Sequence, residues 1–398
     1  MQATQAERGT PAQRNVLRGA IFIMATSSIG PAFLTQTSLF TEKYLASFAF
    51  AILISLLIDI GAQLNIWRVI TVANRVIPGV GHLISAFIVL GGIAFNIGNI
   101  GGAGLAMNVI FGVPPIIGSL IAAVLIIGIF LLRNAKGVMD SVMQVLGPVM
   151  LCMIGYAMLQ SNPPLLEAMS RSFNPDDPLI LLLPIVTLVG GTVGGYISFS
   201  GGHRLVEAGI TGVENVRLVT RAAVIGIATT GVVRICLFLA ALGVVSQGLT
   251  LDPSNPAASV FSHSMGTIGY KIFGVVLLAA SVSSVIGAAY TSVTFMYSLH
   301  DSIRRHNQRV VIAFIACSTL IYSLVGQPVK VLVVAGTLNA LVLPLALGCI
   351  LLTSRKSNIV GDAYRHPTWM LMFGILAMLA TAVGVVMSFN ALLEFWQA

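Results

Sequence analysis

Apolar residues run along the chain in blocks of about 20, separated by short polar or charged turns. Eleven such blocks fall near residues 17–40, 45–67, 81–110, 113–132, 138–159, 178–209, 218–246, 266–299, 308–326, 328–353 and 368–392. About 20 apolar residues wound as an α-helix match the hydrocarbon thickness of a bilayer. The pattern predicts an all-α, polytopic membrane protein of about 11 transmembrane helices. Three blocks, 81–110, 178–209 and 266–299, are too long for simple spans and must tilt, break or extend into water.

Two blocks carry an interruption. In the first, Thr26-Ser27-Ser28-Ile29-Gly30-Pro31-Ala32 places a residue without a backbone N–H directly after a glycine. Pro31 disfavours helical geometry at Gly30, and Gly30 itself weakens a helix. A helix broken there frees backbone groups that hydrocarbon cannot satisfy, so a break marks either a substrate site or, more simply, a proline kink. In the sixth block, Gly190-Gly191-Thr192-Val193-Gly194-Gly195-Tyr196 puts four glycines within six residues, each costing about 1 kcal/mol relative to alanine in a helix. The two interruptions lie five spans apart. Because five is odd, the second set of five enters the membrane in the opposite sense, the signature of an inverted-repeat transporter. The expected division is a cytoplasmic tail at 1–15, a first repeat at 16–160, a second at 178–353, and an eleventh span with the C-terminus at 368–398.

Composition agrees, with 57% hydrophobic and 9% charged residues, far from the roughly 25% charged residues of a soluble domain. The net charge of +8 suggests nucleic acid until the basic residues are placed. With the N-terminus inside, 16 of the 21 Lys and Arg lie on the cytoplasmic side, and Lys43, Arg171, Lys271 and Lys330 lie outside. That asymmetry is the positive-inside rule. It points to a multi-pass protein of the inner (plasma) membrane with a cytoplasmic N-terminus, and no nucleic-acid partner is expected. Cys152, Cys236, Cys317 and Cys349 stand singly in apolar runs, as small core residues do.

Asp59 in the second span and Arg234 in the seventh are the charges that fall well inside spans. Each costs about 2.5–3.5 kcal/mol at the bilayer centre. They are candidates for a structural ion pair, and Asp59 is alternatively a proton-coupling group. Asn96 and Asn99, within Asn96-Ile97-Gly98-Asn99-Ile100-Gly101-Gly102-Ala103-Gly104, share one helix face. That face suits either close helix packing or the lining of a cavity. His203, after the second interruption, is the histidine nearest the expected site. No phosphate-binding glycine loop with lysine and no nucleophile elbow occurs, so the chain is not expected to be an enzyme or to need a cofactor.

The run from Phe95 to Pro114, the sequence Gly190-Gly191-Thr192-Val193, the run from Leu278 to Gly287, and Leu343-Pro344-Leu345-Ala346 resemble the third, sixth, eighth and tenth spans of the NRAMP divalent-metal transporters. That family shares the five-plus-five inverted-repeat fold of the leucine-transporter type. The resemblance implies a secondary transporter or symporter that moves an ion or small molecule across a lipid bilayer, with proton coupling. The ligand set does not carry over. Where the family has Asp-Pro-Gly-Asn in span 1, this chain has Gly30-Pro31-Ala32-Phe33; where the family has Met-Pro-His, it has Gly194-Gly195-Tyr196; and the family's acidic pair in span 3 appears as Asn96 and Asn99. The candidate substrate-binding residues are therefore Ser27, Ser28, Gly30, Pro31, Gln36, Asn96, Asn99, Gly194, Gly195 and Tyr196, with Asp59 and Arg234 as coupling residues and the metal ligands unknown. Neutral dipoles replace part of the hydration of a dication but do not neutralise it. The same dipoles suit an organic solute such as an amino acid or carboxylate. Metal and organic solute both stand as readings, and a channel or sensor is disfavoured by paired interruptions.

Overall fold

The computed structural model describes residues 17–397 except 18, 20, 22, 23, 26, 27, 74–79, 132–134, 298 and 299. Among the described residues, helix occupies each of the eleven apolar blocks and no strand occurs. After a helical segment ending at Ser28 come α1 (Pro31–Tyr44), α2 (Phe48–Val72), α3 (Val80–Phe111), α4 (Pro115–Leu131) and α5 (Ala135–Gln160). The connection from α5 to the sixth span carries the short α6 (Leu165–Arg171). The sixth span is two helices, α7 (Leu182–Val193) and α8 (Ile197–Glu207). Then follow α9 (Val216–Ser246), α10 (Pro256–Met296), the short α11 (Asp301–Arg305), α12 (Asn307–Val325), α13 (Pro328–Ser354), the short α14 (Ser357–Val360), α15 (Thr368–Met387) and α16 (Phe389–Gln397).

By length and composition the described helices supply eight crossings, or nine when the bent pair Val145–Gln160 and Leu165–Arg171 is included. The shortfall against eleven has two sources. Pro31–Val72 counts once at 42 residues, although a straight helix of that length would measure about 63 Å, twice the hydrocarbon thickness. Leu45, at φ 50° and ψ −138°, interrupts it. Pro115–Leu131, at 17 residues, lies at the short end of a crossing and is not among the eight.

Burial orders the bundle. In the sixth span 94% of the most apolar stretch is buried, against 33% for α12 and 28% for α15. A helix apolar on every side and buried on every side belongs at the centre, and one with an exposed apolar face belongs against lipid. Against α7 pack α1, α2, α13 and α15, and against α8 packs α2, with Trp67, Tyr196, Phe33, Phe95 and Phe273 among the largest fully buried side chains. Buried hydroxyls in α1 bond back to their own helix, Thr37 to Phe33 O at 2.7 Å, Ser38 to Leu34 O at 3.0 Å and Thr41 to Thr37 O at 2.6 Å. This lets a polar run cross a dry interior without a partner helix.

Three features add to the expected pattern. A further helical stretch from Pro256, started by Asn255 capping Ala258 N and Pro256 in the first turn, precedes the eighth span; Gly266, non-helical at φ 66°, separates it from the helix that follows, where the eighth block was expected to begin. The connection between the two repeats contains α6, bent 105° from α5. The eleventh span stops at Met387, and a separate helix, α16, follows it.

Candidate functional site

The first interruption lies where proline chemistry places it. Ile29 N still donates to Ala25 O at 2.8 Å, Gly30 is extended at φ −99° and ψ −172°, and α1 starts afresh with Leu34 N donating to Gly30 O at 3.3 Å. In the sixth span, Gly194 is extended at φ −75° and ψ 157°, and Gly195 is left-handed at φ 53°. Both spans are broken at the predicted residues.

Protein groups satisfy the backbone freed at these breaks. Ser28 Oγ donates to Thr192 O at 3.1 Å and ties one interrupted span to the other. Ser198 Oγ donates to Val193 O across the second break, and the Trp67 indole donates to Ser198 O at 2.9 Å. Asn339 from α13 donates to Gly91 O at 3.1 Å and Ala335 O at 2.8 Å. Its Oδ1 lies where a side chain on Gly195 would begin, 1.9 Å from an ideal Cβ.

Around the first break the interior is polar and neutral. A Cβ on Gly30 would lie 3.0 Å from Ser284 Oγ and 3.8 Å from Asn99 Oδ1. Asn96, one helical turn before Asn99, is equally buried. The amide atoms of Asn96 and Asn99, the Ser284 hydroxyl and the Tyr196 hydroxyl are all buried without a hydrogen-bond partner. Tyr196 sits edge-on to Phe95 at 5.8 Å and approaches the Asn99 amide. An unpaired buried polar atom costs about 1–3 kcal/mol, so each of these groups calls for a partner other than protein, a water or a ligand.

The glycines of the third span resolve the other half of its reading. A Cβ on Gly102 would fall 2.2 Å from Pro31 Cβ, one on Gly104 2.2 Å from Pro115 O, and one on Gly101 2.7 Å from the Tyr322 ring. The small residues serve close packing, one of them against the break itself, while the two asparagines line the interior.

The remaining expected residues separate. Ser28, Gly30, Pro31, Asn96, Asn99, Gly194, Gly195 and Tyr196 gather at the two breaks. Ser27 lies outside the described residues. Gln36 is anchored at one end only: Nε2 donates to Leu332 O at 2.8 Å, while Oε1, 2.9 Å from a Cβ built on Gly191, is buried without a hydrogen-bond partner. His203 packs on the Phe295 ring at 6.1 Å. Asp59 and Arg234, 1% and 3% exposed, face one small pocket of about 10 Å³ together with Thr192, roughly the room one water needs. They are not a contact pair: among the described residues a salt bridge within 4.0 Å joins Arg171 to Asp176 but not Asp59 to Arg234. The Arg234 guanidinium stacks over Phe33 at 4.3 Å instead, a cation–π arrangement. Thr192 thus touches both features, its carbonyl at the break and its residue at the charged pocket. Ser284, Asn339 and Thr192 were not among the expected site residues. Each is a polar residue in an apolar helix, and only the pairing of distant spans distinguishes it from a packed one.

Among the described residues no group of three or more His, Cys, Asp or Glu is placed to hold a metal ion. Two interrupted helices joined at their breaks, at the centre of a helical bundle, define the architecture of a multi-pass inverted-repeat transporter. The comparisons specify which. The profile described as Natural resistance-associated macrophage protein-like, Nramp, matches residues 37–391, and the chain belongs to that family. An uncharacterized membrane protein of Bacillus subtilis, YcsG, is 50% identical over 391 residues, covering 96% of both chains. A membrane protein of Haemophilus influenzae is 49% identical over 381 residues, covering 93% of this chain and 95% of its own. A manganese transporter of Eremococcus coleocola superposes with a TM-score of 0.69 at 16% identity, covering 96% of this chain and 88% of its own. MhsT, crystallised with L-phenylalanine, superposes with a TM-score of 0.63 at 15% identity, covering 94% and 98%. At such identities the structures speak for the fold, which one neighbour uses as a manganese transporter and the other shows in complex with an amino acid.

Proposed function

We propose that this Nramp-family transporter carries a small polar organic solute bearing a carboxylate, such as an amino acid or another organic acid, bound between the two interrupted spans. The observation that carries the reading is the donor set: Asn96, Asn99, Ser284 and Tyr196 are buried and uncharged, and the Asn96 amide and Ser284 hydroxyl have no hydrogen-bond partner. Amides and hydroxyls match the oxygens and nitrogens of an organic solute. The N-terminus of α1, with its free N–H groups and positive dipole end, favours a carboxylate beside Gly30. A dehydrated Mn²⁺ or Fe²⁺ requires anionic or soft ligands to offset its lost hydration, and this set offers neither.

Transport of a hydrated divalent ion is the second reading, supported by the family and by the fold shared with the manganese transporter. Asp59, buried beside Thr192 at the end of α7, supplies the titratable group for proton coupling, with Arg234 across the small pocket holding the counter-charge.

The test is a melting screen of the purified protein against amino acids, small organic acids and divalent metals, followed by uptake of the labelled hit into proteoliposomes. Stabilisation by an organic acid, lost in Asn99→Ala, is expected. Stabilisation by Mn²⁺ alone would reject the organic-solute reading.

A further inference from the structure

The last helix, α16, has no fully buried residue, although five of its nine residues are large and apolar. Wound as an α-helix, these nine residues divide into three sectors. Leu392 and Phe395 are half-buried, and Phe395 packs on the hydrophobic core. Asn390, Glu394 and Gln397 form an exposed polar sector on the opposite side. Between the two lie Phe389, Leu393 and Trp396, which stand 56%, 45% and 40% exposed. We propose that this third sector docks onto the lipid surface, so that α16 lies in the boundary between headgroups and acyl chains with its polar sector toward water.

Continuity with the preceding span points to lipid as the occupant. In α15 only 28% of the most apolar stretch is buried in the bundle. Its exposed side carries Leu376, Leu379, Val383 and Val386 at the three- and four-residue spacing of one helix face. Phe389, Leu393 and Trp396 prolong that same spacing past the end of α15 at Met387. Ser388 is the joint: its N–H donates to Gly384 O at 2.9 Å, and Leu392 N donates to Ser388 O at 2.9 Å. The stripe that meets hydrocarbon along the span therefore runs on into α16, and the bilayer beside Val386 is the nearest apolar phase for Phe389. A helix with an apolar sector next to a charged or polar one settles in the plane of such a boundary.

A second observation fixes the depth of the helix. Lys330, in the first turn of α13, donates from Nζ to Trp396 O at 3.1 Å. The far end of α16 is thus held where α13 enters the bundle, and does not project into water. The ammonium satisfies a terminal carbonyl and opposes the negative end of the helix dipole. Tryptophan, with an apolar body and one N–H donor, and lysine, with an apolar stem and a charged head, are the side chains suited to this level of a membrane. The helix also packs against α7 and α13, which carry the second break and Asn339. In this position α16 fastens both to the membrane surface.

The experiment uses the full chain in phosphatidylcholine nanodiscs in which part of the lipid carries bromine on its acyl chains, either near the headgroup or near the chain end. Bromine quenches tryptophan fluorescence on contact. The protein has Trp67, Trp369 and Trp396, so the emission lost in Trp396→Phe is that of Trp396. Quenching of that component severalfold more by shallow than by deep bromine supports the proposal, as does severalfold weaker quenching in Leu393→Glu with no change in Glu394→Gln. Hydrogen exchange over residues 389–397 needs no tryptophan variant and keeps the test valid should Trp396→Phe fail to fold; exchange severalfold faster in Leu393→Glu than in the unaltered protein is expected, and equal exchange overturns the proposal. Quenching of Trp396 by aqueous iodide but not by brominated lipid places the helix in water and overturns it. Protection from both quenchers in a protein that runs as a dimer assigns the face to a second copy and overturns it too.

Discussion

Gly195 is the residue at which the second break is most exposed to a single substitution. Its φ of 53° is left-handed, which costs a residue with a Cβ roughly 1–2 kcal/mol. The new methyl group of Gly195→Ala would also begin 1.9 Å from Asn339 Oδ1. The Asn339 amide must then leave its place and give up its bonds to Gly91 O and Ala335 O, worth about 0.5–1.5 kcal/mol each. The sum is about 2–5 kcal/mol. That is a large part of the stability of an ordinary domain, yet small enough for the protein to be recovered folded. The assay is thermal unfolding of the purified protein beside uptake into proteoliposomes, with Gly128→Ala as control because a Cβ at Gly128 meets nothing within 4 Å. Gly195→Ala is expected to melt well below the control and to lose transport. Adding Asn339→Ala should remove the steric part and leave the backbone part, a coupling that a double-mutant cycle reads directly. Melting and uptake of Gly195→Ala equal to those of Gly128→Ala would refute the account of the break.

Asp59→Asn should abolish uptake driven by a pH gradient while leaving exchange of solute intact; gradient-driven uptake preserved in that variant would remove Asp59 from the coupling role. Ser28→Ala deletes the bond to Thr192 O and should lower stability by about 0.5–1.5 kcal/mol, readable as a melting shift; an unchanged melt would show that the breaks are not tied there. His366 is held neutral, first by burial and then by the charge of Arg68, with its pKa lowered from 6.5 to about 4. The unfolded chain therefore takes up this proton first, and stability should decline as pH falls from about 6.5 to about 4 and level off below. His366→Gln should flatten that part of the profile, and a decline of the same size in the variant would assign it elsewhere.

Much of this architecture is legible in the sequence because its causes are local. Pro31 and the glycines at 194 and 195 break their helices through backbone chemistry alone, whereas Gly190 and Gly191 stay helical within α7; a bilayer fixes block length. What the sequence leaves out depends on contact between distant spans. Nothing near Gln36 announces that Leu332 holds it, and nothing near Ser284 announces that it faces Gly30. Asp59 and Arg234 stand out as intramembrane charges, and a direct ion pair is the natural expectation. The structure brings them to one pocket without closing the pair, because Phe33 takes the guanidinium face. The helical stretch before Gly266 is readable at Asn255-Pro256, a capping residue followed by a first-turn proline, but its polar flanks hide it from an apolar-block reading.

The donor set between the breaks is the centre of the account, and isothermal titration of the purified protein with Mn²⁺ tests it most directly. A site built from Asn96, Asn99, Ser284 and Tyr196 predicts no saturable heat at micromolar metal. Saturable micromolar binding of Mn²⁺ that disappears in Asn99→Ala or Tyr196→Ala would contradict it.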